Sequence, residues 1–366
     1  LCWLDREYLC HYEKKVVDSE IHLQEAFSEM KELEMPYSIA SDESEDENTY
    51  LSYNKVIGTS LDRELYLAFE ILDYALLSAP GAPLKTALTD AGIGQDIMGS
   101  YDNGIYQPIF SVIAKNADAD QKDKFIEVIE NVLTDIVKNG MDQKALEAGI
   151  NYHEFRYREA DFGNYPKGLM YGLQIMDSWL YDDDKPFIHI EALDTFAFLK
   201  KQVGTRYYED LIQKYLLDNT HGAIVIVKPE KGRTARMDAE LDAKLQEYKA
   251  SLGDEEIREM VSRTKKLEEY QSEPESEEAL ERIPVLNRED ISREIDPIFN
   301  EEMNLAGVPV VFHEIETNGI GYVDVMFDLS GVSVEELPYV GILQSVLGII
   351  DTENYGYGEL FNEINM

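Results

Sequence analysis

Tyr50-Leu51-Ser52-Tyr53-Asn54-Lys55-Val56-Ile57 is the stretch from which the fold can be read. It is rich in aromatic and β-branched residues, as a strand requires, and it runs directly into a segment of different periodicity. There Leu61, Leu65, Ala68, Leu72 and Leu76 fall on one face of a helix, which Pro80 and Gly81 end. A short helix is predicted from Leu84 to Ala91, stopping at Gly92. Two strands then flank Asp102-Asn103-Gly104, an Asn-Gly step that favours a hairpin turn, and the second is Ile109-Phe110-Ser111-Val112-Ile113-Ala114. A helix follows with Phe125, Val128, Ile129, Val132, Ile136 and Val137 inward, closed by Asn139-Gly140. Three further helix-like stretches reach Asn219, and Ala223-Ile224-Val225-Ile226-Val227 reads as a buried strand. The order predicts an α+β fold, a mostly antiparallel sheet packed by helices.

Working outward, residues 1–48 are expected to be the exit of a preceding domain and a linker. They contain a charged helix-like stretch through Tyr12 and the acidic run Ser41-Asp42-Glu43-Ser44-Glu45-Asp46-Glu47-Asn48. That run lacks the central Gly and terminal Glu of a calcium loop and reads as a solvated loop. Residues 49–230 form the α+β domain. In 231–300 strand signals vanish. Met237, Leu241, Leu245, Tyr248 and Leu252 recur at intervals of three and four, Gly253 breaks the helix, and Asp254 is placed to cap a second one carrying Ile257, Val261, Thr264 and Leu267. The expectation is a long antiparallel helical hairpin, followed by an extended return path through Pro274, Pro284 and Pro297. Residues 301–366 repeat the earlier order about 272 positions on: strand Gly321 to Phe327, turn Ser330-Gly331, helix Val334 to Gly348 and an amphipathic stretch from Tyr357. Duplication of one α+β unit explains this, as does convergent packing of ordinary elements. The opening without an initiator Met leads us to expect further sequence before Leu1, and the stop inside an amphipathic pattern leads us to expect that the repeated domain is truncated.

Composition bounds the function. The chain has 366 residues, 44% of them hydrophobic, enough for more than one structural unit. Its net charge of −40 argues against nucleic acid, whose binding requires Lys and Arg to displace counterions, and against an anionic membrane surface. No apolar run has the length of a bilayer span. Cys2 and Cys10 are too few to staple the chain, which fits the cytoplasm, or an organelle matrix in a eukaryote.

Several segments resemble presequence proteases, members of the pitrilysin and insulinase superfamily of zinc peptidases. The connector from Val227-Lys228-Pro229, with Tyr270-Gln271-Ser272-Glu273-Pro274-Glu275 and Leu280-Glu281-Arg282-Ile283-Pro284-Val285-Leu286, resembles the hairpin joining their two halves. Ala82-Pro83-Leu84-Lys85-Thr86-Ala87-Leu88-Thr89-Asp90-Ala91-Gly92-Ile93-Gly94 is similar to their second domain. Asp351-Thr352-Glu353-Asn354-Tyr355-Gly356-Tyr357-Gly358-Glu359-Leu360 is similar to the entry of their third, and Asp18-Ser19-Glu20-Ile21 with Gln24 and Phe27 to the exit of their first. The resemblance implies insulinase and mitochondrial processing peptidase-like units, four to a parent protein, closing as two bowls around a peptide-sized chamber.

It also implies that the chemistry lies elsewhere. The family's His-x-x-Glu-His motif, in which two His bind zinc and the Glu polarises water, is absent. The histidines are His11, His22, His153, His189, His221 and His313, and no pair has i, i+4 spacing. His153-Glu154 and His313-Glu314 each lack a second His and read as plain surface or core residues. Asp182-Asp183-Asp184 reads as a solvated loop rather than a cation site. There is no Gly-x-Ser-x-Gly elbow, phosphate loop or dinucleotide fingerprint. No catalytic, cofactor-binding or metal-binding residue is therefore assigned. Zinc is expected in the parent enzyme and none in this chain. The expected role is a non-catalytic, chamber-forming and hinge segment of a zinc metalloendopeptidase that degrades unfolded oligopeptides, with peptide substrates and the flanking domains as partners. The alternative is a non-catalytic peptide-binding or scaffold subunit paired with a separate zinc-bearing chain. The acidity serves solubility or, if it lines a chamber, focuses a field on cationic peptides.

Overall fold

The computed structural model describes every residue except Leu1, Asp296 and Ile298, so the extended geometry expected of Asp296 before Pro297 lies outside the described residues. In chain order the elements begin with α1 (Cys2–Glu7), β1 (Lys31–Ile39), β2 (Thr49–Val56), α2 (Arg63–Asp73), α3 (Pro83–Asp90), β3 (Asp96–Asp102) and β4 (Ile109–Ala117). Next come α4 (Lys122–Asn139), α5 (Gln143–Glu159), α6 (Lys167–Trp179), α7 (Leu193–Gln202), α8 (Tyr207–Ile212) and β5 (Gly222–Lys231). The remainder holds α9 (Arg233–Ser251), α10 (Asp254–Ser272), α11 (Glu277–Leu280), β6 (Glu301–Leu305), β7 (Val308–Phe312), α12 (Leu337–Val346) and α13 (Tyr357–Asn365). The architecture is α+β, and the chain divides into two compact units.

The first unit comprises residues 1–37, 42–230 and 320–366. Its sheet has the order β1-β5-β2-β4-β3, with β2 antiparallel to both β4 and β5, and β3 antiparallel to β4. Strand alternation divides the side chains cleanly between two faces. On one face Leu51 lies between Ala114 and Ile226, and Tyr53 between Val112 and Ile224; all six are buried under the helices. The helix α2 starts where the Asp62 carboxylate accepts the Leu65 N–H at 3.0 Å, satisfying an otherwise orphaned donor. Its Leu65, Ala68, Phe69, Ile71 and Leu72 are buried, and this near-complete enclosure makes it the central helix of the layer. Each large apolar side chain buried there contributes roughly 1.5–3 kcal/mol. The helices α4, α5, α7 and α8 complete the cover through Phe125, Ile129, Leu146, Phe196 and Tyr208. A π-helical turn extends α2 over Tyr74–Ser78, and another extends α8 over Gln213–Leu217.

Four sequence expectations need correction in this unit. Between Tyr12 and the acidic run lies a strand, β1, whose charged Lys31, Glu32 and Glu34 masked it; Pro36 is tolerated because β1 is an edge strand. The connection after Asp102 is a six-residue loop, 103–108, and not a tight Asn-Gly turn, because β4 begins only at Ile109, after Pro108. Four helices, α5 to α8, rather than three occupy the stretch to Asn219. Gly321 to Phe327 forms no strand and pairs with no strand among the described residues, because strand-like side chains without a hydrogen-bonding neighbour do not make a sheet. Val323, Val325, Met326 and Phe327 there are 69–94% exposed.

The second unit comprises residues 38–41 and 231–319. The helices α9 and α10 are joined through Leu252 and Gly253, and a groove of about 480 Å³ beside the turn is lined by Tyr248, Leu252, Ile257, Met260 and Val261. Gly253, not Asp254, is the capping position: its N–H donates to Glu256 Oε2 at 2.8 Å, and Asp254 is the first helical residue. Met237, Leu241 and Leu245 stay half exposed along α9. The strands β6 and β7 form a two-stranded ladder closed by Ala306 and Gly307, both at positive φ, the geometry of a two-residue hairpin turn.

Candidate functional site

The second face of the five-stranded sheet is open. Across its middle, Ala223, Asn54 and Ser111 form one row and Val225, Ser52 and Ile113 another, with Val227 beside Tyr50. Apart from Ser111, which is buried beneath Asn54, these positions are only partly buried, and they floor a shallow groove of about 700 Å³. Asn54 organises the centre. Its Oδ1 accepts from Ser111 Oγ at 2.7 Å and Ser52 Oγ at 2.9 Å, while its Nδ2 donates to the Ala223 carbonyl at 3.1 Å. Tyr37, on β1, sets its ring edge-on to Tyr50 at 5.6 Å and anchors its hydroxyl on the Asn48 carbonyl. In a chain of net charge −40, the groove-facing positions of β2, β4 and β5 named here carry no charge. Lys55 points the other way: its ammonium donates to the Asn219 carbonyl and lies 5.1 Å from the Tyr53 ring centroid, and burial lowers its pKa to about 8.

At one end the groove continues into a second hollow of about 480 Å³, sharing Asn54, Ile109 and Ala223 with the first. Here Tyr106 and Tyr181 stack with centroids 4.3 Å apart, and a stretch without helix or strand sets Gln24 against Gln107 and Phe27 against His221. With an uncharged, partly apolar groove, a hollow whose lining adds Lys55 and His22, and a few fixed hydrogen-bonding groups, this surface suits a ligand that is variable in side chain and constant in backbone.

A polar cluster inside the helical layer is the other place where chemistry can be sought. Glu70 Oε1 accepts from Asn103 Nδ2 at 2.8 Å, and His153 Nδ1 stands 3.6 Å from Glu70 Oε2. Desolvation raises Glu70 to about 7, although 28% of its side-chain surface is accessible. Burial lowers His153 to about 4, with the Arg156 charge adding to it. The Tyr66 hydroxyl donates to Asp177 Oδ2 at 3.0 Å, and His189 stacks on the Tyr66 ring at 3.9 Å. Zinc catalysis requires three converging protein ligands. Here Glu70 and His153 make two, Asp73 holds the Ser78 hydroxyl at 2.8 Å, and among the described residues no group of three His, Cys, Asp or Glu is arranged to hold a metal ion. The residues present do not fit zinc.

The weaker candidates disperse. Glu154 is held by Lys200 and Arg158, both at 2.7 Å. His313 is exposed, its Nδ1 3.2 Å from the Phe299 carbonyl. Asp182 accepts the Asp184 N–H at 3.0 Å and lies 3.4 Å from Lys185 Nζ. The acidic run is a mostly exposed loop in which the Glu47 N–H donates to Asp118 at 2.8 Å. Sequence reasoning missed the open face, although its signal was present: Tyr50, Ser52, Asn54 and Val56 form an uncharged alternate set within a highly charged chain.

Comparison with known proteins gives a consistent family likeness. Residues 6–152 match the model of the peptidase M16 inactive domain, and residues 227–366 that of the region associated with subfamily C of the same peptidases. Protein HypA of Clostridium perfringens is 43% identical over the whole chain, which covers 37% of that relative. Presequence protease 1, chloroplastic/mitochondrial, of Arabidopsis thaliana is 30% identical over 90% of the chain and 31% of the relative. The chain thus spans about a third of the length of the curated relatives it matches. The crystal structure of the peptidase M16 inactive domain from Pseudomonas fluorescens overlays with a TM-score of 0.40 at 14% identity, over 57% of this chain and 46% of that one.

Proposed function

The chain belongs to the peptidase M16 family, among the presequence-protease-like members of its subfamily C, and from that premise we propose that it is a non-catalytic wall of a peptide-degrading chamber. The observation that carries this reading is the uncharged open sheet face, joined to the lack of any fitting metal ligand set among the described residues. A chamber wall contacting unfolded peptides of many sequences needs surface that excludes water without demanding a particular charge. Asn54 and Ser52 offer hydrogen-bonding capacity at its centre, and Tyr50, Ile113 and Val225 offer apolar contact around it.

On this reading residues 49–230 are the wall, 231–300 the hinge-like connector and 301–366 the opening of a related domain, with 1–48 leading in. Zinc and the water-activating carboxylate belong to polypeptide beyond this stretch, and no residue here is assigned to them. The working compartment is the cytoplasm, or an organelle matrix where the protein is eukaryotic; none of the described helices is long and apolar enough to cross a membrane.

The test uses the full-length protein that carries this stretch. Ser52→Asp and Val225→Asp place charge on the open face, and each is expected to raise KM for an unfolded peptide severalfold while kcat holds. That pattern marks lost uniform binding. An unchanged KM in both variants, with the fold intact by circular dichroism, sinks the proposal.

A further inference from the structure

The hollow at the end of the sheet is walled on one side by a piece of the chain itself, in a manner that identifies what else it takes. Residues 12–27 carry no helix or strand, yet the part from Ile21 to Phe27 is held by specific bonds. The Gln24 N–H donates to Gln107 Oε1 at 2.6 Å, and Gln107 Nε2 donates back to the Gln24 carbonyl at 3.1 Å. One carboxamide therefore reads both backbone groups of one residue, the pairing a neighbouring strand would supply. Three residues later Thr220 Oγ1 donates to the Phe27 carbonyl at 2.6 Å, and the Phe27 ring meets the His221 ring edge-on at 4.9 Å. The bonded groups on the Gln24 to Phe27 side are backbone, and the Phe27 ring is the one side chain specifically seated. Such a site discriminates an extended backbone and an aromatic three positions on, and it tolerates variation between them.

We propose that Gln107, Thr220 and His221 form an extended-peptide subsite, that residues 21–27 occupy it as a removable strap, and that a substrate peptide with the same aromatic spacing displaces the strap. This rests on the proposed function, since the hollow adjoins the open sheet face through Asn54, Ile109 and Ala223. The strap is suited to leave: Ile21 and Leu23 are 57% and 50% exposed, and no residue from 12 to 27 belongs to the buried core. Its bonds are few, and a peptide reproduces each of them, so occupancy is an exchange between equivalent partners.

The probe is a fluorescent eleven-residue peptide with the sequence of residues 19–29, titrated against the whole chain by anisotropy. Phe27→Ala loosens the strap and is expected to tighten peptide binding at least about tenfold, because the strap's seat is a competing ligand. Adding Gln107→Ala to Phe27→Ala is expected to abolish that gain. Hydrogen exchange on the unaltered chain supplies a readout independent of any variant: saturating peptide is expected to accelerate exchange at the Gln24 amide. If the peptide binds but Gln107→Ala leaves affinity unchanged and Gln24 stays protected, the strap proposal is overturned. In that case loss of binding on Ser52→Asp keeps the wall reading standing. If no peptide binds either chain, the strap proposal also falls, and the KM test above decides the wall reading separately.

Discussion

Residues 49–230 and residues 320–366 are written in much the same alphabet, yet they end in opposite states. Phe69, Phe110 and Tyr53 are at most 1% exposed, whereas Phe327, Met326 and Val323 are 82–94% exposed. Within the first region one face of the sheet and four helices enclose one another: the sheet meets α2 and α4, and these meet α5, α7 and α8, while α6 leaves Leu169 and Leu173 half exposed. In the second, α12 buries no residue, and α13 alone makes a substantial contact, setting Phe361 against Tyr74, Ala79, Ala82 and Ala148. The difference teaches that apolar periodicity specifies a face, while burial depends on a second face being within reach.

The comparison is broken most directly by truncation. Phe69→Ala is expected to cost about 3–5 kcal/mol in urea unfolding, from lost transfer energy plus the cavity left behind. Phe327→Ala is expected to cost under about 0.5 kcal/mol, as exposed substitutions do; a cost near that of Phe69→Ala would show a burial this structure lacks. Amide exchange sharpens the same contrast. Residues 321–329 are expected to exchange at least about a hundredfold faster than Leu51, Tyr53 and Val112, whose ladders open only with the core. Equal protection in the two stretches would refute it.

A smaller effect tests the polar cluster within the well-packed region. Glu70 is raised to about 7 from an ordinary value of 4.5, so folding favours its protonated form. That stabilisation is complete below about pH 4.5 and is lost as pH rises through 7. Glu70→Gln stays neutral, so variant stability minus wild-type stability is expected to grow by about 1–2 kcal/mol from pH 4.5 to 8, discounted for the accessible part of the side chain. His153, lowered to about 4, contributes with the opposite sign, present above 6.5 and lost as pH falls. It remains in both proteins, so the part of its contribution set by burial cancels, and only the part set by its 3.6 Å contact with Glu70 enters the difference. A flat or falling difference would place Glu70 in a better-hydrated setting. Smallest of all is Lys144→Ala, which removes an exposed ion pair to Glu363 between α5 and α13. The unfolding midpoint is expected to stay within experimental error, because such pairs are screened and entropically costly.

What could be read in advance follows the same division. The strand at Tyr50, the helix after it, the strands around Ile109 and Ala223 and the two helices around Gly253 all announced themselves, because each couples a clear period to a clear stop. The edge strand β1 did not, since Lys31, Glu32, Glu34 and Pro36 suit a strand's margin and imitate a linker. The supposed strand at Gly321 carried the right residues but had no partner, and pairing is a property of two segments. The open sheet face was visible only as uncharged alternate positions whose meaning depended on registering three strands. The site at Gln107 and His221 was invisible for a related reason: it brings together residues from positions 24, 107 and 221, tied by no local pattern.

The uncharged floor on so acidic a molecule has a colloidal consequence. Near neutral pH, long-range repulsion between copies keeps these sticky patches apart at low ionic strength. Approaching pH 4.3, where the net charge vanishes, that barrier collapses while the patch is unchanged. Self-association on acidification should then draw on this surface, together with the exposed apolar stretch from Val323 to Phe327, and Val225→Asp should delay it.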